Sequence, residues 1–173
     1  IVDLANNVAY SAQGEVVIDR TAPTVTVAPA PTIPVRTLSI AFTIADNLAA
    51  HWGLGETRVA VNASPDGSSA GQWTSETRES LAAGAHTRAL DLSGLADGPH
   101  LVRISTLNGG PAGTSLVGSA SVVVQVDATP PTVTEAAIRR VTAEQISAKW
   151  IARDTRSGVA AARIEWLDGA VWR

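Results

Sequence analysis

The chain is predicted to be all-β, built from two-sheet sandwiches in tandem, and three observations predict it. A block of sequence returns after a step of 108 residues: Asp19, Thr21, Pro23, Thr24, Val25 and Thr26 recur as Asp127, Thr129, Pro131, Thr132, Val133 and Thr134. A second match keeps the same step, with Ser39, Phe42 and Asp46 answered by Ser147, Trp150 and Asp154. Between the matches lie short apolar runs punctuated by Gly, Pro and Asn turns, with no clear long helix. A step of this size suits one sandwich domain.

Each element follows in order. Val16 to Ile18 and Val122 to Val126 are β-branched runs and read as closing strands. The Asp-x-Thr-Ala/Pro-Pro after each is a turn. Proline fixes φ and removes a ladder donor, so this joint closes one domain, opens the next, and is stiff. Thr24 to Val27 alternates and reads as a first strand. Pro29, Pro31 and Pro34 suit an edge crossing between sheets. Leu38, Ile40, Phe42 and Ile44 alternate with Ser39, Ala41 and Thr43, the pattern of a half-buried strand. Arg58 to Asn62 gives another, with Val59 and Val61 inward, and Pro65-Asp66-Gly67-Ser68 turns the chain. Trp73 anchors a further strand, whereas Glu76 to Ala83 reads as well as a short helix as an irregular strand. Arg88 to Leu92 is a strand with Leu90 and Leu92 inward. Asp97-Gly98 turns into Pro99 to Thr106, and Asn108-Gly109-Gly110 turns again before Leu116 to Val126. Residues 1–21 are thus expected to be the closing strands of a preceding repeat, 22–128 a complete sandwich, and 129–173 the opening strands of a following one. Trp73, Trp150 and Trp166 are expected in cores.

Composition narrows the function. With 173 residues and 45% hydrophobic residues, a sizeable core is expected. The net charge is −3, and the scattered basic residues are all arginine except Lys149, which gives no footprint for nucleic acid or an anionic membrane. Cysteine is absent, which excludes disulfides, thiolate zinc sites and a cysteine nucleophile but leaves export open. No apolar run approaches a membrane span. The start at Ile1, without Met or a signal-peptide pattern, reads as that of a fragment.

The joints Asp19-Arg20-Thr21-Ala22-Pro23 and Asp127-Ala128-Thr129-Pro130-Pro131 resemble those of bacterial tandem immunoglobulin-like repeat proteins. Ile1 to Ala9 is similar to the D-x-A-G-N-x-A stretch near the end of such a repeat, with Asn6 where glycine is usual. Ala96 to Ile104 looks like the entry into the penultimate strand. Ile146 to Trp150, Asp154 to Val159 and Ala162 to Gly169 resemble fibronectin type III, in which Trp150 would be the second-strand core tryptophan. The resemblance implies an extracellular location, at a cell surface or secreted, and an architecture that serves spacers, adhesins and binding modules alike.

Candidate chemistry is sparse. The sequence has no Gly-x-Ser-x-Gly elbow, His-Glu-x-x-His or phosphate-cradling loop, so no enzyme is expected. His86 and His100 fall in predicted strands, and Glu76 and Glu79 read as a solvated face. The resemblance implies that calcium is sometimes held at such joints, which makes Asp19, Asp46, Asp127 and Asp154 candidate ligands. The opposing reading is that each aspartate caps a turn through its own backbone. His51 and Trp52, in a glycine-flanked loop, are the candidate binding pair for a sugar or a protein. The expected function is a structural, adhesive repeat segment of a larger bacterial surface or secreted protein, or part of a fibre. Its expected partners are neighbouring repeats and identical subunits head to tail. The alternatives are a carbohydrate- or protein-binding module and an appendage of a secreted hydrolase.

Overall fold

The structure, a computed structural model, describes residues 4–5, 18–64, 73–109, 116–168 and 170–173. The segment resembling D-x-A-G-N-x-A, the expected strand at Val16 to Ile18 and the turn at 65–68 lie wholly or mostly outside those residues.

The described elements are β1 (Thr24–Val27), β2 (Thr37–Ala45), a single helical turn α1 (Ala49–Trp52), β3 (Leu54–Asn62), β4 (Trp73–Ser80), β5 (Gly84–Asp91), β6 (Gly98–Asn108), β7 (Val117–Val126), β8 (Thr132–Arg140), β9 (Ile146–Arg153), β10 (Leu167–Asp168) and β11 (Val171–Trp172). The chain is all-β with several antiparallel sheets. One sheet runs β1-β2-β5 and a second runs β4-β3-β6-β7, while β8-β9 and β10-β11 form separate pairs. No described helix is long and apolar enough to cross a membrane.

The two larger sheets share one core. In β2 the period-two pattern buries Leu38, Ile40, Phe42 and Ile44, and Val25, Leu90 and Leu92 join them. Val59, Val61, Val102, Ile104, Val124 and Val126 come from the other sheet. Each fully buried side chain of this kind contributes about 1.5–3 kcal/mol. One polar pair sits within this interior, the Thr57 and Thr106 hydroxyls 2.9 Å apart.

The proline-rich stretch changes sheets. Thr24 to Val27 pair with β2. After Pro29, Pro31 and Pro34, Val35 forms a parallel bridge to Val126 of β7. The Val35 N–H donates to the Gln125 carbonyl at 2.9 Å, and its carbonyl accepts from the Asp127 N–H at 3.2 Å. Prolines have no N–H for a ladder, so the crossing falls where the ladder asks for none.

One open choice is settled and two expectations are corrected. Glu76 to Ser80 is strand, because its charges pair across strands. Glu76 meets Arg58 of β3 at 3.8 Å, and Glu79 holds Arg88 of β5. The stretch at His51 and Trp52 is a helical turn, not an open loop. Trp166 is 56% exposed, and Trp150 is also partly open, because no second sheet covers the β8-β9 pair among the described residues. Trp73 is half-buried on β4, with the Arg103 guanidinium 4.0 Å above its ring.

Candidate functional site

The candidate residues divide between the two ends of the sheets. Leu54 at the start of β3 lies opposite Asn108 at the end of β6, so Asp46, α1 and Asn108 share one end. Gly98 lies opposite Val126, so Asp97 and Asp127 share the other. The strands between span about 35 Å at the usual rise per residue.

At the first end, Asp46 terminates β2. Its Oδ1 accepts from the Leu48 N–H at 2.8 Å, an Asx turn that leads into α1. Gly53 closes α1 with φ 72°, where its N–H reaches the Ala49 carbonyl. Gly109 is pressed onto this turn. Its N–H donates to the Gly53 carbonyl at 3.1 Å, and a Cβ there would stand 2.2 Å from the Trp52 carbonyl oxygen. The Trp52 side chain is 41% exposed. The side chain of His51 lies outside the described part of the structure. Asp19 joins this end through Oδ2, which accepts from the Asn108 side-chain amide at 3.0 Å, while Oδ1 accepts from the Thr21 N–H at 2.9 Å. The Thr21 and Asn108 donors hold the Asp19 carboxyl below the usual carboxylate range.

At the second end, Asp127 repeats the same turn, its Oδ1 accepting from the Thr129 N–H at 3.2 Å. Its Oδ2 accepts from the Ser157 N–H at 3.0 Å. Asp154 Oδ1 takes the N–H groups of Arg156, Ser157 and Gly158 at 2.9, 2.9 and 3.0 Å. The Arg156 and Gly158 donors hold its carboxyl below the usual range. Ser157 thus joins two of the predicted aspartates through one shared N–H.

These contacts bear on calcium. The ion takes six to eight oxygen ligands. Asp19 and Asp127 spend both oxygens on hydrogen bonds, and Asp154 turns Oδ1 to three backbone donors. Asp46 keeps one enclosed oxygen, Oδ2, without a partner. Among the described residues no three His, Cys, Asp or Glu side chains converge on a common point. The four aspartates organise turns and joints.

Both described imidazoles bond to a main-chain carbonyl. His86 Nε2–H donates to Ala82 at 2.8 Å and His100 Nε2–H to Ala96 at 2.7 Å. A cleft of about 420 Å³ opens over β8-β9, with Val133, Ile138, Trp150, Val159 and Ile164 among its walls.

Sequence reasoning missed Asp97, read only as half of a turn dipeptide. Its carboxylate accepts from the Ala128 N–H at 2.8 Å and from the Thr129 hydroxyl. An acidic residue opening a Gly-Pro turn was the available signal, but its partners lie more than thirty residues along the chain.

No family model and no curated protein matches the chain.

Proposed function

We infer that the chain is a non-enzymatic structural and adhesive repeat segment of a larger extracellular bacterial protein, surface-bound, secreted or assembled into a fibre. The observation that carries this reading is a repeated register. Thr24 lies opposite Ala45 and Val25 opposite Ile44, and one 108-residue step later Thr132 lies opposite Arg153 and Val133 opposite Ala152. The aspartate turns recur at the same step, Asp19 to Thr21 with Asp127 to Thr129, and Asp46 to Leu48 with Asp154 to Arg156.

The strand order supports an immunoglobulin/fibronectin III-like sandwich for residues 22–128. The first, second and fifth strands share one sheet, and the fourth lies beside the third in the other. The open apolar side of β8-β9 suits the first two strands of a following repeat in 129–173. The work of such a segment is mechanical. Tension between its ends loads the Val35–β7 bridge along the strand direction, so its bonds resist together.

Single-molecule stretching of the full chain tests this reading. Residues 22–128 should yield in one discrete step that releases chain of roughly 350 Å contour length. Gradual extension at low force would count against it.

The exposure of Trp52 favours a second reading, a carbohydrate- or protein-binding module acting through the end that carries α1. A glycan and protein array probed with the chain and with Trp52→Ala separates the two. Specific signal lost on substitution supports binding.

A further inference from the structure

The linker between β7 and β8 has few backbone donors. Pro130 and Pro131 have no N–H, so Ala128 and Thr129 carry the only ones between Asp127 and Thr132. Both go to carboxylates of the sheets before the linker: Ala128 N–H to Asp97 and Thr129 N–H to Asp127. Asp97 also accepts the Thr129 hydroxyl. Two further contacts cross the linker. Arg156 Nε stands 3.5 Å from Asp97 Oδ2, and the Ser157 N–H donates to Asp127 Oδ2. Asp154 makes both possible, since it winds residues 156–158 into the turn that presents them, and Gly158 takes φ 80° there. Asp97, Asp127, Arg153, Asp154 and Arg156 surround a cleft of about 220 Å³ at this joint.

We propose that Asp97 is a latch: from the turn between β5 and β6 it grips the linker and Arg156 together, and so fixes the angle at which the β8-β9 pair stands on the preceding sheets. This rests on the reading of the chain as a stiff repeat segment, and it locates the stiffness in side-chain contacts as well as in proline. Two prolines restrict φ at their own positions, and Pro130 biases Thr129 to extended ψ, but neither fixes φ or ψ at Ala128 or φ at Thr129. The Asp97 bonds to those two residues remove that freedom. Asp97 is charged in this role, since its oxygens accept a hydroxyl and a main-chain N–H and pair with a guanidinium; the Thr129 and Ala128 donors also hold its carboxyl below the usual range. The remaining charges facing it are the Asp127 and Asp154 carboxylates and the Arg153 guanidinium around the same cleft.

The absence of native cysteine makes the test direct. Cysteines placed at Ser121 on β7 and Ser147 on β9 take spin labels, and pulsed dipolar spectroscopy reads the distance between them. The parent should give one narrow distribution. Asp97→Ala should widen it by roughly twofold or more, as a tether replaces a fixed joint. Thr129→Val and Arg156→Ala, which remove the partners' side of the latch, should widen it less. Thermal unfolding by circular dichroism confirms that each variant folds. A narrow parent with an equally narrow Asp97→Ala overturns the latch alone. A parent that is itself broad overturns the stiff-joint reading and the latch with it. If Asp97→Ala does not fold, the Thr129→Val and Arg156→Ala distributions decide, and parental width in both rejects the proposal.

Discussion

Phe42 and Trp150 stand one 108-residue step apart on corresponding strands, yet Phe42 is 3% exposed and Trp150 37%. What differs is the cover. Phe42 belongs to a core closed by Val59, Val61, Val102 and Ile104, whereas Trp150 lines an open cleft. Phe42→Ala should therefore leave an enclosed cavity and cost about 3–5 kcal/mol. Trp150→Ala should shift the stability of residues 22–128 by less than about 0.5 kcal/mol. Urea unfolding followed by far-ultraviolet circular dichroism compares them, and equal losses would mean that Trp150 packs into the core that Phe42 occupies.

The buried pair Thr57 and Thr106 offers a sharper test of the interior. Each hydroxyl has the other at 2.9 Å. Thr106→Val removes one partner and strands the other away from water, at a cost of about 1–3 kcal/mol. Adding Thr57→Val restores an apolar match of similar shape, so the double variant should be more stable than Thr106→Val alone. A double-mutant cycle in urea measures this, and strictly additive losses would show that the hydroxyls do not interact.

The strands that alternate were legible in the sequence because one face is wet and the other dry. Leu38 to Ile44 carries that contrast at every second residue, and Thr24 to Val27 matches β1 at both ends. Glu76 to Ser80 lacks it. Arg58, Arg78, Glu56 and Glu76 form a charge network on β3 and β4, so partners on neighbouring strands, not an apolar face, fix that segment as strand. The candidate site was legible only in part. Asp19, Asp46, Asp127 and Asp154 were visible because their turns are local. Asp97 was not, since its acceptor role exists only once β6 and the linker are brought together.

Gly118 marks a contact that no periodicity announces. A Cβ built there would lie 1.8 Å from the Pro23 carbonyl oxygen, a backbone atom that cannot rotate away. Gly118→Ala must push the entry to β1 off β7, at a cost of about 1–3 kcal/mol, as overpacking usually does. Gly94→Ala, with no heavy atom near its Cβ, serves as the control. Thermal unfolding of both variants checks this, and matching midpoints would mean that β1 and β7 are not held this closely.

Acid should weaken residues 22–128 through carboxylates that the fold holds ionised. The hydrogen bond from Arg88 keeps Glu79 below its ordinary 4.5. The Ser93 hydroxyl and N–H keep Asp91 below its ordinary 3.8. A carboxyl whose folded value lies below its unfolded value stabilises the fold above the unfolded value and loses that contribution as pH falls through the folded one. Stability should thus be level from pH 7 to about 5 with respect to these groups and decline below about 4.5. Glu79→Gln removes one contributor, so its acid decline should be shallower and its stability at pH 7 slightly lower. Added salt should shrink the difference, because this pair is partly exposed and screened. Denaturation midpoints for parent and variant at pH 7, 5, 4 and 3 test this. If the two curves run parallel throughout, the Glu79–Arg88 pair does not couple protonation to folding.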